Sequence, residues 1–309
     1  MFNETQKMKG RQITFGLALG SGSSRGWAHV GVIRALAEAG IVPGVVCGTS
    51  VGALVAAAHV AGNLHKLEEW ILALNRLQIA RFFEVSPFLN GFVNTKRLHA
   101  FLDKHVVSDR ARIEDFPVRF ASVATDLESG REVWFTSGPM LEAVWASMAL
   151  PGLFPAIRHD DRWLVDGGLV NPVPVTVCRA LGADVVLAVN LNGDIVGKHF
   201  APAPKKEPKK NGKMTDVLTD LVREYAAPLF SRDEDQPPSL FDAMAGSVNI
   251  AQERITRSRL AGDPPDILLS PKLSHIGLLE FHRAAEAIEE GRRCVRSMWP
   301  EIEHVLRLS

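Results

Sequence analysis

Three short stretches combine small residues with a hydroxyl, a cation or a carboxylate at spacings that chemistry can use. Gly48-Thr49-Ser50-Val51-Gly52 fits the pattern GxSxG between a strand-like and a helix-like segment. A serine at such a turn has its hydroxyl lifted clear of the sheet, at a helix amino end whose N–H groups stabilise developing negative charge. That suits a nucleophile in acyl transfer, and equally an ordinary turn with a capping serine. Gly20-Ser21-Gly22-Ser23-Ser24-Arg25-Gly26 offers a run of N–H groups beside one cation, the material of an oxyanion hole or of a phosphate cradle. A dinucleotide site needs an acidic residue at the end of the second strand. Cys47 and Gly48 stand there instead, which counts against a nicotinamide cofactor. Asp166-Gly167-Gly168 puts a carboxylate at the carboxyl end of a strand, as a catalytic base or as the cap of a turn.

The serine's partner has two candidates. Ser50, Asp166 and His275 follow the chain order of an α/β-hydrolase triad. That fold places its nucleophile after several strands, whereas Ser50 follows only the second, which counts against the triad. His29, His59, His65, His99 and His105 fall on helical segments and read as packing or surface residues. Without an HExxH or an EF-hand loop, and with Asp160-Asp161 in a hairpin turn, neither a metal nor a cofactor is expected.

The elements that must carry these residues follow from apolar spacing. Ile13 to Leu19 reads as a strand, the glycine-serine loop follows, and Val30, Ile33, Leu36 and Ala37 recur at helical spacing. Val45 to Cys47 is a second strand before an alanine-rich helix, so the first sixty residues read βαβα and predict a parallel sheet. Helices are predicted over 66–77, 95–105 and 278–296, and strands over 118–125, 132–135, 162–165, 184–190 and 267–270.

The chain has 309 residues, 46% of them hydrophobic and 23% charged, with 35 basic and 35 acidic side chains. Such a chain buries a core, and zero net charge gives no general field toward nucleic acid or acidic membrane. Cys47, Cys178 and Cys294 lie too far apart for a zinc site or a disulfide framework, and a cytoplasmic home is expected. The longest apolar run, 51–62, is short of the roughly 20 residues that span a bilayer. One domain is expected over 13–309, after a polar tail at 1–12. A mobile insertion is expected at 197–238, where a Lys/Pro-rich stretch precedes Met214, Val217, Leu218, Leu221, Val222 and Tyr225 at helical spacing.

The segments LALGSGSSRGWAHVGVIRALAEAGI (17–41), GTSVGAL (48–54), ASMALPGLFPAI (146–157) and WLVDGGLVNPVPV (163–175) together resemble the patatin-like phospholipase family, in its group of short bacterial cytoplasmic members. The resemblance covers most of 13–190. It implies a three-layer α/β/α fold with a mainly parallel sheet, Ser50 as nucleophile and Asp166 as its partner in a Ser–Asp dyad. It also implies an oxyanion hole at 20–26, although Gly22, Ser23 and Ser24 stand where the family's loop usually has three glycines. The implied activity is hydrolysis of lipid-like carboxylic esters through an acyl-enzyme, without a cofactor and with peripheral membrane contact as an option. Phospholipase, lysophospholipase, thioesterase and esterase chemistries stay open, as does a catalytically weak lipid-binding or regulatory scaffold of the same fold.

Overall fold

A computed structural model describes residues 7–8, 11–80, 95–195 and 240–307. Of the polar tail, only the antiparallel ribbon of β1 (Lys7–Met8) and β2 (Arg11–Gln12) is included. The insertion at 197–238 lies outside the described residues.

The core is an eight-stranded sheet in the order β10 (Ile267–Leu269), β9 (Val185–Val189), β3 (Phe15–Leu19), β4 (Val45–Thr49), β5 (Arg119–Asp126), β8 (Arg162–Asp166) and β7 (Ile157–His159), with β6 (Glu132–Phe135) also paired to β5. The first five strands of that order run parallel, and β6, β7 and β8 are antiparallel to their neighbours. Alternation along the strands divides the core between two faces. Leu17, Leu19, Val46, Leu187 and Val189 meet the larger helical layer, and Ala18, Val45, Cys47, Val186 and Ala188 meet the smaller one.

The larger layer includes α1 (Ala28–Glu38), α2 (Val51–Val60), α3 (Leu64–Ala73), α5 (Thr95–His105) and α6 (Met140–Met148). Helix α2 is apolar nearly all round and buried from Val51 to Ala58, as a helix with neighbours on every side must be. On the other face lie α7 (Val175–Ala180) and the end of α8 (Leu240–Gly262). The chain closes with α9 (Ala284–Ser297), packed on α1, and α10 (Trp299–Leu306).

Two helices differ from their predicted spans. The stretch 66–77 breaks at Leu74, which is extended, and α4 (Arg76–Ala80) restarts the chain. Asn75 and Gln78 exchange side-chain and backbone hydrogen bonds there at 3.0 Å each, a reciprocal cap that starts a new helix. The predicted helix 278–296 begins later, at Ala284, after a 3₁₀ turn at Phe281–Arg283.

Candidate active site

The predicted turn at 48–52 is sharper than its pattern suggests. Strand β4 runs through Thr49, helix α2 begins at Val51, and the whole reversal falls on Ser50, at φ 58° and ψ −125°. A non-glycine residue at positive φ stores roughly 1–3 kcal/mol of strain and persists only where its surroundings enforce it. The flanking glycines relieve crowding and leave the positive φ to the serine. A Cβ on Gly52 would lie 2.1 Å from the Leu19 carbonyl oxygen, and one on Gly48 would lie 2.4 Å from the start of α2. The elbow is pinned from two sides. Ser147 on α6 accepts the Ser50 N–H at 2.9 Å and donates to the Val123 carbonyl at 2.6 Å, while Thr49 Oγ1 donates to the Asn171 carbonyl at 2.9 Å.

Ser50 makes no side-chain cap to its own helix. Its Oγ donates to Asp166 Oδ2 at 2.6 Å. The other carboxylate oxygen, Oδ1, accepts the Gly168 N–H at 2.7 Å, so Asp166 caps the 3₁₀ turn Gly167–Leu169 and faces the serine at once. Its backbone is held by Ala149 O and by Thr125 Oγ1. Asp166 is 1% exposed, and burial pushes its pKa up to about 6 against the opposing pull of the Ser50 hydroxyl and the Gly168 N–H. His275 is turned elsewhere, half-exposed and paired with Glu286 at 2.7 Å.

The loop 20–26 lies beside this pair, with Ser21, Gly22 and Ser23 lining the same cleft as Ser50 and Asp166. Most of its N–H groups are already engaged: Gly20 with Val189 O, Ser21 with Pro172 O, Ser24 with Leu278 O and Arg25 with Gly22 O. Among the described residues, the Gly22 and Ser23 N–H groups take no such partner. Ser23 sits at φ 52°, and its Oγ donates to Leu278 O at 2.7 Å, while Ser24 Oγ donates to Gly277 O at 2.7 Å. Gly26 packs directly on Val51.

Arg25 is 2% exposed and braces the loop from behind. Its Nε donates to Gly22 O and its Nη2 to Asn249 Oδ1 on α8. Burial lowers its pKa to about 10, with Asp194 opposing, so it remains a cation at neutral pH. The buried His29 supports the other end through Nε2 and Gly20 O at 2.7 Å. Burial holds the His29 pKa near 4 and the ring neutral, and because a carbonyl only accepts, Nε2 carries the proton.

The cleft holds about 990 Å³ of empty space including its mouth. Its walls are apolar, with Trp27, Leu54, Trp70, Phe101, Leu153 and Phe281 among them, and Asp166 is the one ionisable side chain among its described lining residues. Such a cleft suits an acyl chain. Among the described residues there is no cluster of side chains that could hold a metal ion, and no helix long and apolar enough to cross a membrane.

Ser147, Asn249 and Gln252 carry no sequence signal of the kind that marks Ser50 and Asp166. Ser147 stands inside a recognised segment as a small polar residue in an apolar helix. Asn249 and Gln252 show only as two amides three residues apart.

The sequence pattern of the family described as patatin-like phospholipase matches residues 17–179, just over half of the chain. An uncharacterized NTE family protein of Mycobacterium tuberculosis (strain H37Rv) is 33% identical, over 89% of this chain and 88% of its own length. A second one from that organism is 29% identical, over 94% of this chain and 47% of its own. The lysophospholipase NTE1 of Pyricularia oryzae is 28% identical, over 89% of this chain and 18% of its own length.

Proposed function

The chain belongs to the patatin-like phospholipase family, and from that premise we propose that it is a serine hydrolase of lipid-like carboxylic esters, working through a Ser50–Asp166 dyad and an acyl-enzyme. The observation that carries this reading is the 2.6 Å contact between Ser50 Oγ and a buried Asp166. Asp166 takes the hydroxyl proton as Ser50 attacks the ester carbonyl, and returns it to the leaving alcohol. It then takes a proton from the water that attacks the acyl-enzyme and gives it to Ser50 Oγ as the acyl–oxygen bond breaks, restoring the serine. A carboxylate is a weak base for an alcohol, so the barrier falls chiefly through stabilisation of the oxyanion. The uncommitted N–H groups of Gly22 and Ser23 are the donors for it, with the start of α2 behind Ser50 adding its dipole. The apolar cleft takes the acyl chain, and the alcohol portion leaves toward solvent. Hydrolysis of lysophospholipids, the activity in the name of the Pyricularia relative, fits a cleft whose described lining is apolar apart from Asp166 and a few uncharged polar groups. The protein reaches such substrates from the membrane surface.

Labelling by a fluorophosphonate probe and turnover of a soluble short-chain ester test the assignment together. Ser50→Ala is expected to abolish both while the fold stays intact, Asp166→Asn to lose nearly as much, and His275→Ala to lose little. Full activity in Ser50→Ala removes the nucleophile from the scheme, and a more damaging His275→Ala turns the dyad into a triad.

A further inference from the structure

Helix α8 brings to the site a side chain to which the reaction above gives no part. Gln252 is buried and lines the cleft. Its Oε1 accepts Ser21 Oγ at 3.0 Å and Asn192 Nδ2 at 3.1 Å. An amide whose oxygen takes two donors has its orientation set by them, and its NH₂ end faces the other way. That end lies against the turn after Asp166: a Cβ on Gly168 would come within 2.4 Å of Gln252 Nε2 and within 2.9 Å of Asp166 Oδ1. One helical turn earlier, Asn249 holds Arg25, which in turn holds Gly22 O. Helix α8 therefore grips the loop 20–26 at Ser21 and at Arg25, and reaches the Asp166 turn with the same Gln252 side chain.

We infer that Gln252 is a positioning residue for the hydrolysis proposed above: it fixes the oxyanion loop relative to the Asp166 turn and directs the positive end of its amide dipole at the Asp166 carboxylate. A fixed dipole in a water-poor site needs no reorganisation as charge shifts from the carboxylate to the oxyanion. A second consequence concerns protonation, since an N–H end near Asp166 favours its ionised form. Among the described residues the other hydrogen-bond partners of Asp166 are uncharged: Ser50 at the head of α2, Thr125 on β5, Ala149 at the end of α6 and Gly168 in its own turn. The charged pair joining α8 to β6, Arg259 and Glu132, sits at Val170 O beyond the turn. Glu253 beside Gln252 pairs with Arg257.

Two variants of the full chain separate this role from simple packing. Gln252→Leu keeps the bulk and removes both ends of the amide. Its kcat on a soluble short-chain ester should fall about 10- to 100-fold with KM within about twofold, as misplacement of catalytic groups does. Gln252→Glu keeps oxygens for Ser21 and Asn192 but sets an acid against Asp166, so the acidic limb of the kcat/KM profile should move up by about one pH unit. If the wild type takes no fluorophosphonate label, the hydrolase reading itself fails. If the wild type is labelled, two results overturn the inference: kcat and the acidic limb unchanged in both variants, or a rise in KM at constant kcat, which makes Gln252 a substrate contact. Should Gln252→Leu not fold, the acidic limb of Gln252→Glu decides alone.

Discussion

A carboxyl group buried without a cation at its side pulls activity and stability in opposite directions. The Asp166 pKa is raised by burial from 3.8 to about 6. Between those values the folded protein keeps a proton that the unfolded chain has released. Stability therefore falls as pH rises through that window, by on the order of 3 kcal/mol, and stays lower above it. The proposed attack by Ser50 needs the ionised carboxylate, so kcat/KM should climb through about pH 6 and level off above. Asp166→Asn removes the buried charge and keeps an acceptor for the Gly168 N–H. The variant should be nearly inactive yet melt a few degrees higher than wild type at pH 8, with the gain shrinking toward pH 4. Calorimetry at the two pH values checks this, and equal melting at pH 8 refutes the account of Asp166. Ser50 and Asp166 were legible in the sequence because each stands where an apolar strand ends in a glycine turn, Ser50 between Gly48 and Gly52 and Asp166 before Gly167 and Gly168. Ser147 and Gln252 were not, because their parts depend on which group lies opposite them across the fold.

At the next scale, the loop between β3 and α1 is held by the hydroxyls of Ser23 and Ser24. Ser23 combines an unfavourable φ of 52° with a 2.7 Å bond to Leu278 O. Strain and tether are each worth about 1 kcal/mol and oppose one another. Ser23→Gly gives up the tether and relieves the strain, so its melting temperature should stay near that of wild type. Ser23→Ala gives up the tether and keeps the strain, so it should melt lower. Both should lose kcat, since the Ser23 N–H is one of the proposed oxyanion donors and its own hydroxyl tether to Leu278 O is lost, leaving the Ser24 N–H alone on that carbonyl. Melting curves and kcat measured side by side decide it, and a Ser23→Ala as stable as wild type sinks the explanation. Sequence patterns find such loops because strand, small residues and helix follow one another locally. Helix α8 is hidden from such patterns for the opposite reason. Its buried stripe is polar, with Asn249, Gln252, Glu253 and Thr256 inward, while Met244 and Ile250 are 49% and 45% exposed. A hydrophobic pattern read along it points the wrong face at the core.

The molecule as a whole assembles its cleft from remote parts of the chain. Leu54, Phe101 and Leu153 lie inside the family-matched span 17–179, and Val248, Gln252 and Phe281 lie beyond it. Strand β9, which flanks β3, is also outside that span. The segment 197–238 leaves just after Ile195 and returns at Leu240, the start of the helix that carries Val248 and Gln252 to the cleft. Its apolar spacing and lysines predict that it governs access to lipid. Replacing 198–238 with a short glycine linker should lower the ratio of long-chain to short-chain hydrolysis and weaken sedimentation with anionic vesicles. In the full chain, that sedimentation should weaken with salt. An unchanged ratio and unchanged sedimentation in a folded deletion reduce the segment to packing. The apolar cleft, with one carboxylate at its reacting end, also bears on how a catalytic cycle finishes. The proposed hydrolysis would leave a fatty acid whose chain is still sheltered, each further methylene holding it by about 0.8 kcal/mol, roughly a fourfold slower escape. In the proposed reaction its new carboxyl group would form beside Asp166, whose negative charge repels it toward solvent. Long-chain esters should therefore give a burst of alcohol followed by a slower steady state, timed by the departing acid.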